Sequence, residues 1–260
     1  MTFMNWLRPL LKNYYALQHV ASQKFLKKVM ETLVTLKVSL VLCPIMAETD
    51  TKQRIQKAAH ELVMRYGIRS VSMDDIAADL GMSKKTIYQY FKDKDELVEA
   101  VVDEVIDSNQ YACKEDIDKS ENAVHEIFLV MDMMAEMFKT MNPSILHDMQ
   151  KYHPVAFSKF KKHKNEFLYN VCTQNLERGV KEELYRPEIA VDILCRYRVE
   201  TMFIPFNPEF QQSLKHGLAT IEEEILMHFL FGLVSQKGYK LIIKYREQKI
   251  KLTEKNKAIK

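Results

Sequence analysis

The chain has 260 residues, of which 47% are hydrophobic, and a formal net charge of +3. This length and apolar content allow one large or two modest domains, each with a buried core. The 6 glycines and 7 prolines are too few for the many turns of an all-β fold, so the composition favours an all-α protein built from long helices.

Charge is distributed unevenly along the chain. Basic residues outnumber acidic ones by five in residues 1–45 and by seven in residues 237–260. Acidic residues are in excess by nine in residues 98–236, and residues 46–97 are balanced. A balanced segment can still bind a polyanion if its cations share one face, so the placement of the lysines matters more than their number.

Residues 1–47 form a leader for which two interpretations stay open. The apolar stretch at 33–46 contains Lys37 and is shorter than the roughly 20 residues of a membrane span, so we expect no stable membrane insertion. The basic, aromatic residues before it would suit a segment lying on a membrane surface. We favour the other interpretation, in which the natural chain starts at Met46 and the leader is upstream sequence read in frame.

The sequence shows no pattern typical of a metal centre or a catalytic site. Cys43, Cys113, Cys172 and Cys195 are far apart and form no C-x-x-C pair, so we expect free thiols in a reducing compartment. The histidines lack ligand spacing, and a Gly-rich phosphate loop and a nucleophile elbow are both missing. We therefore expect no cofactor, no metal and no enzymatic activity.

Residues 48–97 predict a compact group of short helices. The first helix carries apolar residues on one face, at Ile55, Ala58, Ala59, Leu62, Val63 and Tyr66, and Gly67 follows at its end. Ser72 and Asp75 have the spacing of a capping box for a second helix, whose Ile76, Ala77 and Leu80 face inward. Gly81 ends that helix.

A third helix is expected from Lys84 to about Phe91, capped by Ser83. Ile87 and Phe91 are i, i+4 neighbours that can anchor it to the core. Asp93 and Glu96 predict a further capping box for the fourth helix. Two short helices joined by a tight Gly turn predict a helix-turn-helix, in which the second short helix enters the DNA major groove.

The outward residues of this third helix have the chemistry of a DNA-reading surface. Lysines and tyrosine hydroxyls can reach phosphates, and lysine, glutamine and threonine can also contact base edges. These residues are Lys84, Lys85, Thr86, Tyr88, Gln89 and Tyr90. The helix starts at Ser72, Ser83 and Asp93 add exposed N–H groups that favour anions.

Residues 50–105 resemble the DNA-binding head of the TetR family of transcriptional regulators. The residues that carry the resemblance are Ala58, Val63, Gly67, Ser72, Ile76, Ala77, Gly81, Met82, Ser83, Tyr88, Tyr90, Phe91, Lys94 and Leu97. Val63 stands where the family usually has Phe, Ser72 where Thr is frequent, and Met82 where Val or Ile is frequent. None of these departures removes a group that the motif needs.

The resemblance implies a three-helix DNA-binding head joined to a larger helical body that binds a ligand and dimerises. It implies a homodimer on a near-palindromic operator of double-stranded DNA, in the bacterial cytoplasm at the nucleoid. Within the head it implies phosphate contacts for Ser72, Tyr90 and Lys94. Base reading falls mainly to Lys84, Lys85, Thr86 and Gln89, and Tyr88 can contact either.

Residues 98–240 are expected to form the body. The helix that starts near Asp93 should join it to the head. A second helix, at 122–143, repeats methionine at helical spacing, which fits either core packing or a deformable ligand pocket. Candidates for such a pocket are Met134, Met137, Phe138, Met141, Phe160, Phe167, Cys172 and Tyr197.

The C-terminal part of the body is expected to provide the dimer interface. A loop near residues 183–186 should precede a helix with Pro187 in its first turn. The helix at 220–238 is apolar almost all round between Ile225 and Val234, which predicts a partner helix. The resemblance implies a four-helix interface near Tyr197 with Ile225, Phe229, Leu230, Gly232 and Leu233. The basic tail, 241–260, is expected to be a frayed end or a source of non-specific DNA attraction.

The leading hypothesis is a transcriptional repressor that an unidentified small-molecule effector releases from its operator. A protein that binds DNA without sequence preference is one alternative, and an all-helical enzyme is another. A strong salt dependence with no preferred site would indicate the first alternative.

Overall fold

The computed structural model describes residues 39–258. It divides the chain into two compact units, Met1–Arg54 and Ile55–Lys260. Most of the predicted leader lies outside the described residues. Where the leader is described, from residue 39, it is helical and continuous with the first helix of the head.

Three helices form the N-terminal head, α1 (Ser39–Tyr66), α2 (Met73–Asp79) and α3 (Lys84–Tyr88). Their apolar residues meet in one buried cluster, with Ile55, Ile76 and Ile87 at most 1% exposed. This cluster confirms the predicted inward faces, with one exception. Tyr66 is 49% exposed and lies beside the Arg65 guanidinium instead of in the core.

The body continues the helical architecture, which confirms the all-α prediction. Its helices are α4 (Lys94–Lys119), α5 (Ala123–Phe138), α6 (Ile145–Tyr152), α7 (Pro154–His163), α8 (Tyr169–Lys181), α9 (Val191–Thr201), α10 (Pro208–Gln212), α11 (Leu218–Leu233) and α12 (Gln236–Ala258). A π-helical turn, Lys164–Leu168, links α7 to α8, and a 3₁₀ turn, Ile204–Phe206, precedes α10. None of the helices described for residues 39–258 is long and apolar enough to span a membrane.

Helix α3 ends earlier than predicted, at Tyr88 instead of about Phe91. The N–H groups of Tyr90 and Phe91 both donate to the Ile87 carbonyl, which tightens the chain into a turn. The turn carries Phe91 into the core, where it is 1% exposed.

Helix α9 begins at Val191, so the prediction that Pro187 lies in its first turn is wrong. The preceding segment is not helical: residues 185 and 186 pair with the end of α11 and the residue after it, and a turn follows at 187–188. Tyr185 forms an isolated antiparallel bridge with Val234, and the Arg186 N–H donates to the Leu233 carbonyl. These bonds delay the start of the helix.

The segment predicted as a frayed tail is helical as far as Ala258. Ile242 is fully buried and Tyr245 is 7% exposed, both in a cluster that also holds Leu230 and Leu233. The Tyr245 hydroxyl accepts from Asn122 Nδ2 at 2.8 Å, which fastens the segment to the start of α5. These buried residues make α12 part of the body, whereas the high lysine content of the segment had suggested a solvated end.

Candidate DNA-binding surface and effector cavity

Local caps position the two short helices of the head. The Asp75 N–H donates to Ser72 Oγ at 3.2 Å, and the Ser72 N–H donates to Asp75 Oδ2 at 2.8 Å, as the capping box predicts. The hydrogen bond from the Ser72 hydroxyl is the main reason that the pKa of Asp75 is lowered. Gly81 adopts φ +63° in the turn, a left-handed conformation that favours glycine. Ser83 Oγ then accepts from the Thr86 N–H at 3.1 Å and starts α3.

Most of the nine residues predicted to contact DNA are exposed. The six exposed ones are Ser72, Ser83, Lys84, Lys85, Tyr88 and Gln89, and the half-buried ones are Thr86, Tyr90 and Lys94. Lys85 and Gln89 side chains make no hydrogen bond or ion pair within residues 39–258. Lys84 Nζ lies 2.6 Å from Asp74 Oδ2, and this hydrogen bond raises the pKa of Lys84. An exposed ion pair of this kind is weak and can be exchanged for a phosphate contact.

Lys94, for which a phosphate contact was expected, makes a hydrogen bond within its own protomer. Its ammonium donates to the Ile68 carbonyl at 2.6 Å, and burial lowers its pKa. The lysine therefore holds the loop between α1 and α2 against the start of α4. The second capping box also differs from the prediction, because the Glu96 carboxylate accepts from the Lys92 N–H and leaves Asp93 to cap the helix alone.

The head is joined to the body through α4 and the region of α6. Gln56 Nε2 donates to the Ala100 carbonyl at 2.8 Å. The Asn142 N–H donates to the Met64 carbonyl at 2.6 Å, and the Arg69 N–H donates to Asp148 Oδ2 at 3.2 Å. A small apolar cavity of about 80 Å³ lies at this junction.

A larger cavity of about 180 Å³ lies inside the body. Six of the predicted pocket residues line it, namely Met134, Met137, Phe138, Met141, Phe160 and Cys172. Two do not. Phe167 stacks on His163 with ring centroids 5.2 Å apart and so supports the cavity wall from behind. Tyr197 is 47% exposed on the outside of α9.

The cavity also contains polar residues that the sequence analysis missed. They are Asn109, Glu126, His163, Asn175 and Arg198. Burial lowers the pKa of His163 and raises that of Glu126, which has an ion pair with Arg178 at 3.1 Å. A polar residue in a helical stretch is expected to face solvent, so the sequence carried no signal that these face inward.

Cys172, which lines the cavity, meets the buried Cys195 although the two are distant in sequence. Cys172 on α8 and Cys195 on α9 are free thiols that hydrogen-bond to each other. That hydrogen bond and burial raise the pKa of Cys172. Hydrogen bonds from Cys172 and Thr173 lower the pKa of Cys195 to about 7 despite its burial. In the part of the chain that the structure describes, no three His, Cys, Asp or Glu side chains group as a metal site would require.

Comparisons with known proteins agree with this arrangement. The profile described as "Bacterial regulatory proteins, tetR family" matches residues 55–101. An uncharacterized HTH-type transcriptional regulator of Bacillus subtilis, YvaF, is 33% identical over 184 residues, which cover 69% of this chain and 93% of that protein. The chain belongs to the tetR family. It is a DNA-binding transcriptional regulator.

Further relatives extend the match over the body of this tetR-family chain. An uncharacterized HTH-type transcriptional regulator of Haemophilus influenzae is 30% identical over 180 residues, covering 65% of this chain and 93% of that protein. The crystal structure of a TetR-family regulator from Agrobacterium tumefaciens superposes with a TM-score of 0.62 at 16% identity, over 72% of this chain and all of that one. At that identity the structural match shows the fold alone.

The predicted dimer interface of this tetR-family chain needs correction. Leu230 and Leu233 are at most 1% exposed and Phe229 is 6% exposed, because α11 packs against α5 of the same chain and these residues belong to a buried cluster that also includes residues of α12. Of the predicted set, Gly232 is exposed and Ile225 is half-buried. The side chains that α9 and α11 present to solvent instead include Ile193, Tyr197 and Phe231, which are 64%, 47% and 36% exposed.

Proposed function

We propose that this regulator is a repressor that occupies a near-palindromic operator as a homodimer and leaves it when a small-molecule effector fills the body cavity. The observation that carries the proposal is a wall shared by the two cavities. Val105, Ile106, Met141, Leu146 and Phe160 line both the body cavity and the small cavity at the head junction. A molecule that displaces this wall would change the packing under the head.

The shared wall belongs to the elements that hold the head. Val105 and Ile106 lie on α4, whose first residue, Lys94, is bonded to the loop between α1 and α2. Leu146 lies on α6, whose Asp148 accepts from the Arg69 N–H of that same loop. A shift of α4 or α6 would therefore be transmitted to the head and would change the distance between the two α3 helices of a dimer. To turn a population from nearly all bound to nearly all free, the effector must prefer the released conformer by about 10⁴-fold.

On the DNA side, the proposal rests on the exposed residues of α3 and its flanks. Lys85 and Gln89 are the proposed base readers, together with Lys84 once it leaves Asp74, and Thr86 contributes at the edge of the helix. Tyr88 is 44% exposed and can contact a base or a phosphate. Ser72, Ser83 and Tyr90 are proposed as phosphate contacts, which fix register without reading sequence.

For the dimer, the proposal rests on the exposed apolar face of α9 and α11. Ile193, Tyr197 and Phe231 are large apolar side chains facing solvent in one protomer, and such a face is typical of an interaction site. Nothing lies within 4 Å of a Cβ built at Gly232, which leaves room for a helix of the partner subunit. The proposed interface consists of this face together with Ile225.

Selection of bound fragments from genomic DNA would test the proposal. Full-length protein should enrich a short motif with two-fold symmetry, and a duplex of that motif should bind at least about 10³-fold more tightly than a scrambled duplex at physiological salt. Comparable binding to every duplex, with a steep salt dependence, would replace the proposal with sequence-non-specific DNA binding. The genes beside the enriched motif would then guide the choice of effectors for a release assay.

A further inference from the structure

The body cavity contains one buried donor that the protein leaves without a partner. Arg198 on α9 lines the cavity and is 4% exposed. Its Nη2 donates to Glu222 Oε1 on α11 at 2.6 Å. Its Nη1 has no hydrogen-bond partner in the part of the chain that the structure describes.

Other polar groups of the cavity are already engaged. Asn175 donates to the Ala123 carbonyl and accepts from the Tyr185 hydroxyl. His163 Nε2 lies 3.0 Å from Asn109 Oδ1, and Glu126 accepts from Arg178. Of the buried side-chain nitrogen and oxygen atoms without a partner in residues 39–258, Arg198 Nη1 is the one that belongs to a cavity-lining residue.

An unsatisfied guanidinium N–H in an apolar cavity is unfavourable, and buried donors in native proteins nearly always have a partner. Glu222 neutralises the charge of Arg198 but occupies only one edge of its planar fork. The remaining edge offers a hydrogen bond to an acceptor atom inside the cavity. An ammonium head group has no acceptor atom and would leave this donor unpaired.

Apart from these polar groups, the cavity is lined by apolar side chains. Met133, Met134, Met137 and Phe138 form much of its surface, and methionine adapts to ligands of irregular shape. The volume of about 180 Å³ is slightly larger than a cavity of about 150 Å³ that holds benzene. A small apolar body with one polar end would fill it.

Resting on the proposed function, we infer that the effector is a small, mostly apolar molecule with an oxygen acceptor at one end, a carbonyl or a carboxylate. The oxygen accepts a hydrogen bond from Arg198 Nη1, and the apolar part lies among the methionines of α5. Specificity for this class comes from Arg198, because a molecule without the acceptor leaves the guanidinium donor unpaired.

Calorimetric titration of the full chain with three seven-carbon probes tests the inference. Heptanoate and 2-heptanone carry an acceptor, whereas heptylammonium does not. At least one acceptor probe should bind about tenfold or more tightly than heptylammonium, the range of a hydrogen bond to a charged donor. Tighter binding of heptanoate would assign an anionic effector, and tighter binding of 2-heptanone a neutral one. Equal or tighter binding of heptylammonium, or no binding of any probe, would overturn the inference.

The double variant Arg198→Met/Glu222→Leu removes the donor without leaving an unpaired buried carboxylate, and such replacements are often tolerated. It should lose the preference for an acceptor while still binding the apolar part. Arg196→Met is the matched control, because Arg196 lies on the same helix with an exposed side chain and should keep the preference. If the double variant does not fold, Arg198→Lys, which lacks the second donor arm, should lose the preference for an acceptor instead. Retention of the preference in the Arg198 variant, or its loss in Arg196→Met, refutes the role of Arg198.

Operator binding by the ligand-free protein separates this inference from the proposed function. If the protein binds a specific operator but its cavity shows no preference for acceptor probes, the proposed repressor function stands and the inferred effector class is overturned. An acceptor preference without any specific operator would overturn the repressor and leave the cavity chemistry standing.

Discussion

Gly179→Ala should destabilise the protein although alanine is the better helix former. Gly179 lies in α8 beneath the ring of Tyr185, and an added Cβ would be 2.0 Å from Cδ2 and 2.2 Å from Cε2 of that ring. Tyr185 has little freedom to move away, because it is 1% exposed. Its hydroxyl lies 3.0 Å from Asn175 Oδ1 and 3.2 Å from the Ala123 carbonyl oxygen.

The expected magnitude follows from three contributions. Helix propensity favours alanine by about 1 kcal/mol. Overpacking costs about 1–3 kcal/mol, and loss of the Tyr185 hydroxyl bonds from a buried site costs about 1–3 kcal/mol more. The net loss is about 3 kcal/mol at the centre of these ranges, which corresponds to a decrease in Tm of roughly 6–12 °C for a chain of this size.

Thermal unfolding followed by circular dichroism, at a fixed protomer concentration because a dimer is expected, would measure the decrease in Tm. Gly217→Ala is the control, since nothing lies within 4 Å of its added Cβ and Gly217 is not part of the proposed dimer face. The control should change the Tm much less than Gly179→Ala does. A Tm of Gly179→Ala equal to or above that of Gly217→Ala would refute the packing argument.

Four further predictions concern the DNA surface, the dimer and the cavity. Gln89→Ala should relax specificity at one operator position at a cost of about 1–3 kcal/mol, and an equal loss on all sequences would count against base reading. Lys94→Met should lower the stability to unfolding by about 1–3 kcal/mol through the unpaired Ile68 carbonyl and leave the salt slope of operator binding unchanged. If the salt slope of Lys94→Met were instead lower by about 1 than that of the unchanged protein, Lys94 would be a phosphate contact after all. Tyr197→Asp should give folded monomers in light scattering, whereas Leu230→Ala should lose about 2–5 kcal/mol of stability at any concentration. Dimers of the former variant would disprove the proposed face. Because burial lowers the pKa of His163, its contribution to stability is present above its unfolded pKa of about 6.5 and is lost as pH falls below it. His163→Gln should therefore show a smaller loss of stability in acid, and an identical pH dependence in both proteins would contradict the shift.

The head could be predicted from sequence because its determinants are local. A cap involves residues three positions apart, and the turn requires glycine at one position. Ser72 with Asp75, the left-handed Gly81 and the cap at Ser83 all have the geometry that the sequence predicted. The end of α3 was predicted too late in the chain, because a core contact of Phe91 decides where that helix ends.

Contacts between distant parts of the chain decided the dimer face. From the sequence, α11 was apolar almost all round between Ile225 and Val234, and the lysine-rich segment after it was expected to be solvated. In the tertiary structure α11 and α12 both pack against α5, and Leu230 and Leu233 are buried within one protomer in a cluster that includes Ile242 and Tyr245 of α12, whereas Phe231 remains outside. The incorrect expectation that the tail is solvated therefore led to the incorrect choice of interface residues.

The sequence by itself determined the helix-turn-helix, the helical class and the methionine-rich composition of α5. Only the tertiary structure decided which residues share a cavity. Arg198 and Glu222 are 24 positions apart on different helices, and Cys172 meets Cys195 across α8 and α9. Helical periodicity specifies which residues share a face of one helix, but the packing of several helices specifies what that face contacts.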